Sequence, residues 1–407
     1  MKIIIIGAGP AGLMCATTAR SMGADTIIIE KNEKPGKKLY ITGKGRCNVT
    51  NQCDIQSFLS NVISNSKFMM SSLNNFDSYD TIDFVQDRGV PLKVERGNRV
   101  FPSSDKSSDI IKALLRDAGD IHYNETALEI LVDQNKVVGV RTDVREYVAD
   151  AVVIATGGLS YKATGSTGDG YKFASSLGHD IVPIRPGLVP MLSNDEWVKG
   201  IRGLSLKNVK ATFVSNNLEI TSEFGEMLFT DRGLSGPIIL TMSSRVNNIK
   251  FVNAKVLIDL KPALDFEQLN ARILRDFDEA KNKDFANSLK NLLPSSLIPI
   301  VVAQSGISAY RKVNSITKEE REKLISVLKG LIVNIKSLDD INFAIITAGG
   351  VDTKQINPKT MQSKIVDGLY FAGEVIDVDA LTGGFNIQIA LSTGKSAGEW
   401  AVRNYEK

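Results

Sequence analysis

The sequence predicts an α/β protein: a Rossmann-like domain built on a parallel sheet and interrupted by an inserted β-rich and helical region. Three observations predict it. Lys2-Ile3-Ile4-Ile5-Ile6 runs straight into Gly7-Ala8-Gly9-Pro10-Ala11-Gly12 and then into helix-compatible residues that stop at Gly23. Two further apolar runs, 151–155 and 368–372, end in glycine-containing turns far along the chain. Between them, from about Pro190, the texture changes to short strands and then helices, with no second Gly-x-Gly-x-x-Gly after a strand. Parallel strands need crossover connections rather than tight turns, and this spacing supplies them.

The opening stretch carries the first chemical expectation. Gly7 permits a tight turn out of the strand, Gly9 lets a diphosphate approach the backbone, and Gly12 lets helix and strand pack closely. The helix N-terminus then faces the diphosphate with free N–H groups. Thr26-Ile27-Ile28-Ile29 ends in Glu30, eighteen residues after Gly12, where a carboxylate accepts hydrogen bonds from both hydroxyls of an adenosine ribose. The pattern predicts a dinucleotide site with an unphosphorylated ribose. By itself it does not choose FAD over NAD.

The remaining elements follow in order. A polar connection, 31–38, leads to 39–51, where glycine, amide and hydroxyl groups with two cations suit a loop wrapped around a polar ligand. Residues 57–88 read as helical, 90–101 as a hairpin turned at Gly97-Asn98, and 109–118 as an amphipathic helix. A meander at 125–131, 137–142 and 146–149 precedes the buried strand 151–155, which runs into Thr156-Gly157-Gly158 and a glycine-rich loop before a helix at 171–177. In the insert, strands are expected at 206–214, 218–221, 226–229 and 255–260, a helix from Gly236-Pro237, helices over 265–329, and strands at 331–335 and 342–346. The last strand ends in Gly373-Glu374, and Thr382-Gly383-Gly384-Phe385-Asn386 opens the final helix. The expected division is 1–189, an insert 190–344 (β-rich at 190–262 and 330–344, helical at 263–329), and 345–407.

Composition narrows the class. The chain has 407 residues, 43% hydrophobic and 23% charged, with a formal net charge of +3. No long basic block is present, so the expected partner is a small-molecule substrate, with no nucleic acid and no membrane. Cys15, Cys47 and Cys53 form neither a disulfide framework nor a zinc pattern, which suits a reducing, cytoplasmic setting and predicts no metal site. His122 and His179 are the two histidines, read as structural, so a histidine base is not expected. No catalytic acid or base is assigned, and the oligomeric state is left open.

Several motifs together carry a resemblance: 43–51, 155–158 through 168–171, Gly233-Leu234-Ser235-Gly236-Pro237, and 368–386. The chain resembles flavoproteins of the two-dinucleotide-binding-domain superfamily, and more narrowly the bacterial family containing aminoacetone oxidase and the BaiN-type NAD(P)/FAD-dependent oxidoreductases. The resemblance implies FAD contacts at Gly7, Gly9, Ala11, Gly12, Glu30, Lys31, Arg46, Cys47, Asn48, Thr156, Gly157, Gly373, Glu374, Gly384, Phe385 and Asn386. Lys44, Lys162 and Asp231 depart from that family's pattern.

The expected function is therefore an FAD-dependent oxidoreductase, led by an aminoacetone-type amine oxidase that releases hydrogen peroxide. The alternative is a reductase in which NAD(P)H is a transient electron donor and an enone-like substrate accepts the hydride. A disulfide reductase is disfavoured because five residues separate Cys47 from Cys53, where such enzymes use four. A flavin-binding regulatory protein without turnover is the reading from another class.

Overall fold

A computed structural model describes residues 1–405. The chain divides into two compact units, Met1–Gly187 together with the segment from Ile341, and Leu188–Asp340.

The first unit holds a five-stranded parallel sheet in the order Leu369–Phe371, Ala151–Ile154, Lys2–Ile6, Asp25–Glu30, Asp120–Tyr123. Lys2–Ile6 is central, and Ile3, Ile4 and Ile5 are fully buried. That is why the run does not alternate with polar residues, since both faces of a central parallel strand are covered. Ile6 lies beside Ile154 on one side and Ile29 on the other. The register therefore brings the Gly7 turn, Ala155 and Glu30 to one edge of the sheet, the carboxyl edge where such folds bind ligands.

The first helix, Pro10–Ser21, packs against the last, Phe385–Tyr405. A Cβ on Gly394 would lie 2.3 Å from the Ala11 carbonyl oxygen, and one on Gly398 would lie 2.4 Å from that of Cys15. Only glycine at both positions lets the two backbones approach this closely.

The expected helical stretch 57–88 is instead four short pieces, Ile55–Ser60, Ser66–Met69, Met70–Asn75 and Ser78–Gln86. The breaks have local causes. Asn65 adopts a left-handed conformation at φ 55°, and Asp77 starts a new helix by accepting from the Tyr79 and Asp80 amides at 2.8 and 3.0 Å.

The second unit is a closed six-stranded barrel in the order Met191–Ser193, Gly233–Ser235, Leu218–Phe229, Ser205–Ser215, Lys255–Asp259, Leu331–Leu338. Its longer helices are Pro237–Val246, Phe266–Glu279, Ile298–Ser305 and Lys318–Lys329. The two short strands expected within 218–229 are one continuous strand. The strand expected at 342–346 is a correction of another kind. Ile341–Phe343 is a 3-10 turn, and the strand is Ile346–Val351, paired antiparallel with Ile181–Gly187 in the first unit. Gly349 and Gly350 are poor strand formers and concealed it. Among the described residues no helix is long and apolar enough to cross a membrane.

Candidate dinucleotide site

The site is built on the glycine turn. Gly7 has φ 108°, and a Cβ there would lie 2.5 Å from the Ala155 carbonyl oxygen. A Cβ on Gly12 would lie 2.0 Å from the Gly7 carbonyl oxygen, so this glycine sets the helix-to-strand approach. Gly9 differs: a Cβ there meets nothing within 4 Å. The helix begins with Pro10, has no side-chain cap, and places Ala11 in its first turn. Its first N–H groups are thus free to meet an anion.

Glu30 is buried, and three donors already reach it. Its Oε2 accepts from the Ala8 amide at 2.8 Å, and its Oε1 accepts from the Asn32 amide at 2.8 Å and Asn32 Nδ2 at 2.6 Å. A carboxylate has about four acceptor positions. Glu30 therefore ties the glycine turn to the second strand and keeps one position for a sugar hydroxyl, rather than the two expected.

Lys31 closes the neighbouring loop: its Nζ donates to Asp169 at 2.7 Å and also to Thr167. Thr156 and Gly157 leave the strand Ala151–Ile154 beside this loop, with Gly157 at φ 73°. Arg46 is held by Asp105 at 2.7 Å and by Glu95, with its guanidinium 4.2 Å from the Phe101 ring centre. Its charge is thereby committed to Glu95 and Asp105. Cys47 is fully buried at φ 59°, an unusual conformation for a residue with a Cβ. The neighbouring Asn48 has a buried Oδ1 without a hydrogen-bond partner. The Lys44 side chain lies outside the described residues.

Gly373 has φ 77°, and a Cβ there would meet that of Ala11 at 2.9 Å. Glu374 accepts from Lys38 Nζ at 2.7 Å and from the Thr347 amide at 2.7 Å. Gly384 has φ 100°, and its missing side chain admits the Thr50 backbone, which a Cβ would approach to 2.4 Å. Phe385 is a core residue against Phe58, ring centres 5.0 Å apart. Asn386 clasps Ala380 by accepting from its amide at 3.0 Å and donating to its carbonyl at 2.8 Å. These last residues shape the loop, and their side chains are already occupied.

Two groupings escaped sequence reasoning. Lys38, Ser160, Thr347 and Glu374 form one hydrogen-bonded network, with Lys38 Nζ donating to Ser160 Oγ at 2.7 Å. Lys38 was hidden in a polar linker. Arg185, Asp377 and Asp379 are gathered elsewhere in the first unit, and burial pushes the Asp379 carboxyl up to about 6. The signal was two acids alternating with apolar residues in Val375-Ile376-Asp377-Val378-Asp379-Ala380.

The cysteines do not form a redox pair. All three are free thiols. Burial pushes Cys47 up to about 12 and Cys53 up to about 11, away from the thiolate such chemistry requires. Among the described residues no cluster is arranged to hold a metal ion. The open space at Gly9, the uncapped helix start and the orphan Asn48 oxygen fit a bound dinucleotide.

Residues 1–400 match the family model described as HI0933-like protein Rossmann domain. The chain is 30% identical over 408 residues to the 3-dehydro-bile acid delta(4,6)-reductase of Clostridium scindens, covering 98% of this chain and 99% of that protein. It is 32% identical over 397 residues to the ribosomal RNA dihydrouridine synthase of Escherichia coli, covering 96% and 95%. Among solved structures, the 3-ketosteroid-delta4-(5alpha)-dehydrogenase of Rhodococcus jostii RHA1 shares the fold, with a TM-score of 0.53 and 14% identity over 98% of this chain and 96% of that one.

Proposed function

The chain belongs to the HI0933-like Rossmann family and is an FAD-dependent oxidoreductase, and from that premise we propose that it reduces a carbon–carbon double bond conjugated to a carbonyl group. The observation that carries this is the agreement of two relatives matched over nearly their whole length, one named a delta(4,6)-reductase of a 3-dehydro-bile acid and the other a dihydrouridine synthase. A 3-oxo-4,6-diene and a uracil ring share one reacting unit. Each has an alkene polarised by a carbonyl, whose far carbon accepts a hydride and whose near carbon then takes a proton.

Bound FAD, once reduced by NAD(P)H, supplies the hydride. The chain's part in this proposal is to bind and orient. Gly7, Gly9 and Gly12 with the start of the first helix hold the diphosphate, Glu30 meets the ribose, and Asn48 offers its free oxygen to the cofactor. Neither relative is named for an amine, so the reductive reading replaces the amine oxidase as the leading one. The relative named for ribosomal RNA brings an RNA-borne uridine among the substrates to test, against the expectation of no nucleic acid.

The test is product analysis. FAD-loaded protein is incubated without oxygen with NADH or NADPH and either a 3-oxo-4,6-diene steroid or unmodified ribosomal RNA. Gain of two hydrogens in either product supports the reading. Peroxide from aminoacetone in air, with neither product formed, would overturn it.

A further inference from the structure

Within the first unit, the strand Ile181–Gly187, the strand Ile346–Val351 and the segment after Gly373 lie side by side. Arg185 is paired with Ala348, and Val351 bridges to Ile376. The packing is close, since a Cβ on Gly350 would fall 2.6 Å from the Val375 carbonyl oxygen and 2.9 Å from the Asp377 nitrogen. The Asp377 amide donates to the Val351 carbonyl at 3.1 Å, and the Ile63 amide donates to the Asp379 carbonyl at 2.8 Å. The backbone that carries both acids is therefore fixed.

Their side chains are not matched in the same way. Asp379 is 1% exposed; the Ser64 side chain acts on its carboxyl as a donor, but neither carboxyl oxygen has a partner at good hydrogen-bond geometry among the described residues. Asp377 is 7% exposed; its Oδ2 accepts from Asn65 Nδ2 at 2.9 Å, and the Gly349 amide acts on the carboxyl, while its Oδ1 has no partner at good hydrogen-bond geometry. Arg185 Nε is also buried and unpartnered. The guanidinium acts on both acids electrostatically. Buried polar groups are nearly always satisfied, so four atoms without a well-formed hydrogen bond on three neighbouring residues mark a place for a ligand with both a donor and an acceptor.

The set has a chemical signature, a cationic donor together with carboxyl acceptors. A ketone offers only an acceptor and would leave the carboxyl oxygens unmet. An imide edge, carbonyl–NH–carbonyl, offers both: a carbonyl oxygen for Arg185 and an N–H for a carboxylate. We propose that Arg185 with the Asp377 and Asp379 carboxyls recognises the imide edge of a pyrimidine ring, supplied either by the flavin or by a uracil substrate. The uracil source rests on the reductase reading, whereas the flavin source rests only on FAD binding.

The test uses N3-methylated probes, which keep the ring but remove the N–H. FAD and N3-methyl-FAD are titrated onto the full-length apoprotein by fluorescence. Uridine and N3-methyluridine are titrated onto the FAD-loaded protein by flavin absorbance. The expected result is a loss of roughly tenfold or more on methylation within one pair, a loss that shrinks severalfold in Asp379→Leu. Loss in the FAD pair names the flavin as the source; loss in the uridine pair names the substrate. Equal binding within both pairs overturns the proposal, as it would if ordered water alone met these atoms. Should Asp379→Leu not fold, Arg185→Met decides, since it must weaken the unmethylated member to a similar extent. Steroid-diene reduction without any imide preference would overturn this site and leave the reductase reading standing, and an FAD-pair preference without reductase turnover would do the reverse.

Discussion

Gly9 and Gly12 occupy one turn and are glycine for different reasons. A Cβ on Gly12 would overlap the Gly7 carbonyl oxygen at 2.0 Å, whereas one on Gly9 meets nothing within 4 Å. Gly12→Ala should therefore destabilise the apoprotein by about 1–3 kcal/mol in urea unfolding. Gly9→Ala should leave apoprotein stability within about 0.5 kcal/mol yet weaken FAD binding several-fold by fluorescence titration. Asp379 gives a pH prediction. Burial holds its carboxyl at about 6 in the folded chain, against roughly 3.9 unfolded. The folded state keeps a proton that the unfolded state has lost, so stability falls as pH rises between about 4 and 6 and stays lower above. Asp379→Asn should flatten that fall, gaining roughly 2–3 kcal/mol over the wild type between pH 4 and pH 7 in urea unfolding. At this scale the glycines were legible because backbone conformation demands them. Arg46 and Glu374 were less so, because a sequence does not show that Glu95, Asp105 and Lys38 stand opposite them.

Among elements, the contact between Pro10–Ser21 and Phe385–Tyr405 fixes where the first helix begins, and so where its free N–H groups lie. Gly394 and Gly398 make that contact possible by admitting the Ala11 and Cys15 carbonyls. Gly398→Ala should lower the urea midpoint by an amount equivalent to about 1–3 kcal/mol at unchanged slope, and FAD affinity should fall with it. A midpoint that does not move would show the helices free to separate without loss. Four of the five parallel strands were readable from unbroken apolar runs; the edge strand Asp120–Tyr123 was not, because its residues are mostly polar and half exposed. The strand Ile346–Val351 was not, because Gly349 and Gly350 serve close backbone packing rather than strand propensity. Residues 57–88 were misread because Asn65 and Asp77 break one apolar pattern into several short helices.

For the molecule as a whole, the sequence discloses the cofactor class more readily than the substrate. The dinucleotide turn is local, and its demands on Gly7, Gly9 and Gly12 are written in consecutive residues. The Arg185, Asp377 and Asp379 grouping is assembled from segments nearly two hundred residues apart, so the alternation at 375–380 marks its two acids but not the cation that joins them. In the proposed reaction the chain would hold FAD so that a hydride from it could be delivered to a conjugated alkene. Flavin absorbance decides this, read on chemically reduced, FAD-loaded protein mixed with acceptor in the absence of oxygen. The oxidised flavin band should return on adding a 3-oxo-4,6-diene steroid or unmodified ribosomal RNA. A band that stays bleached with both, and returns only when air is admitted, would contradict it.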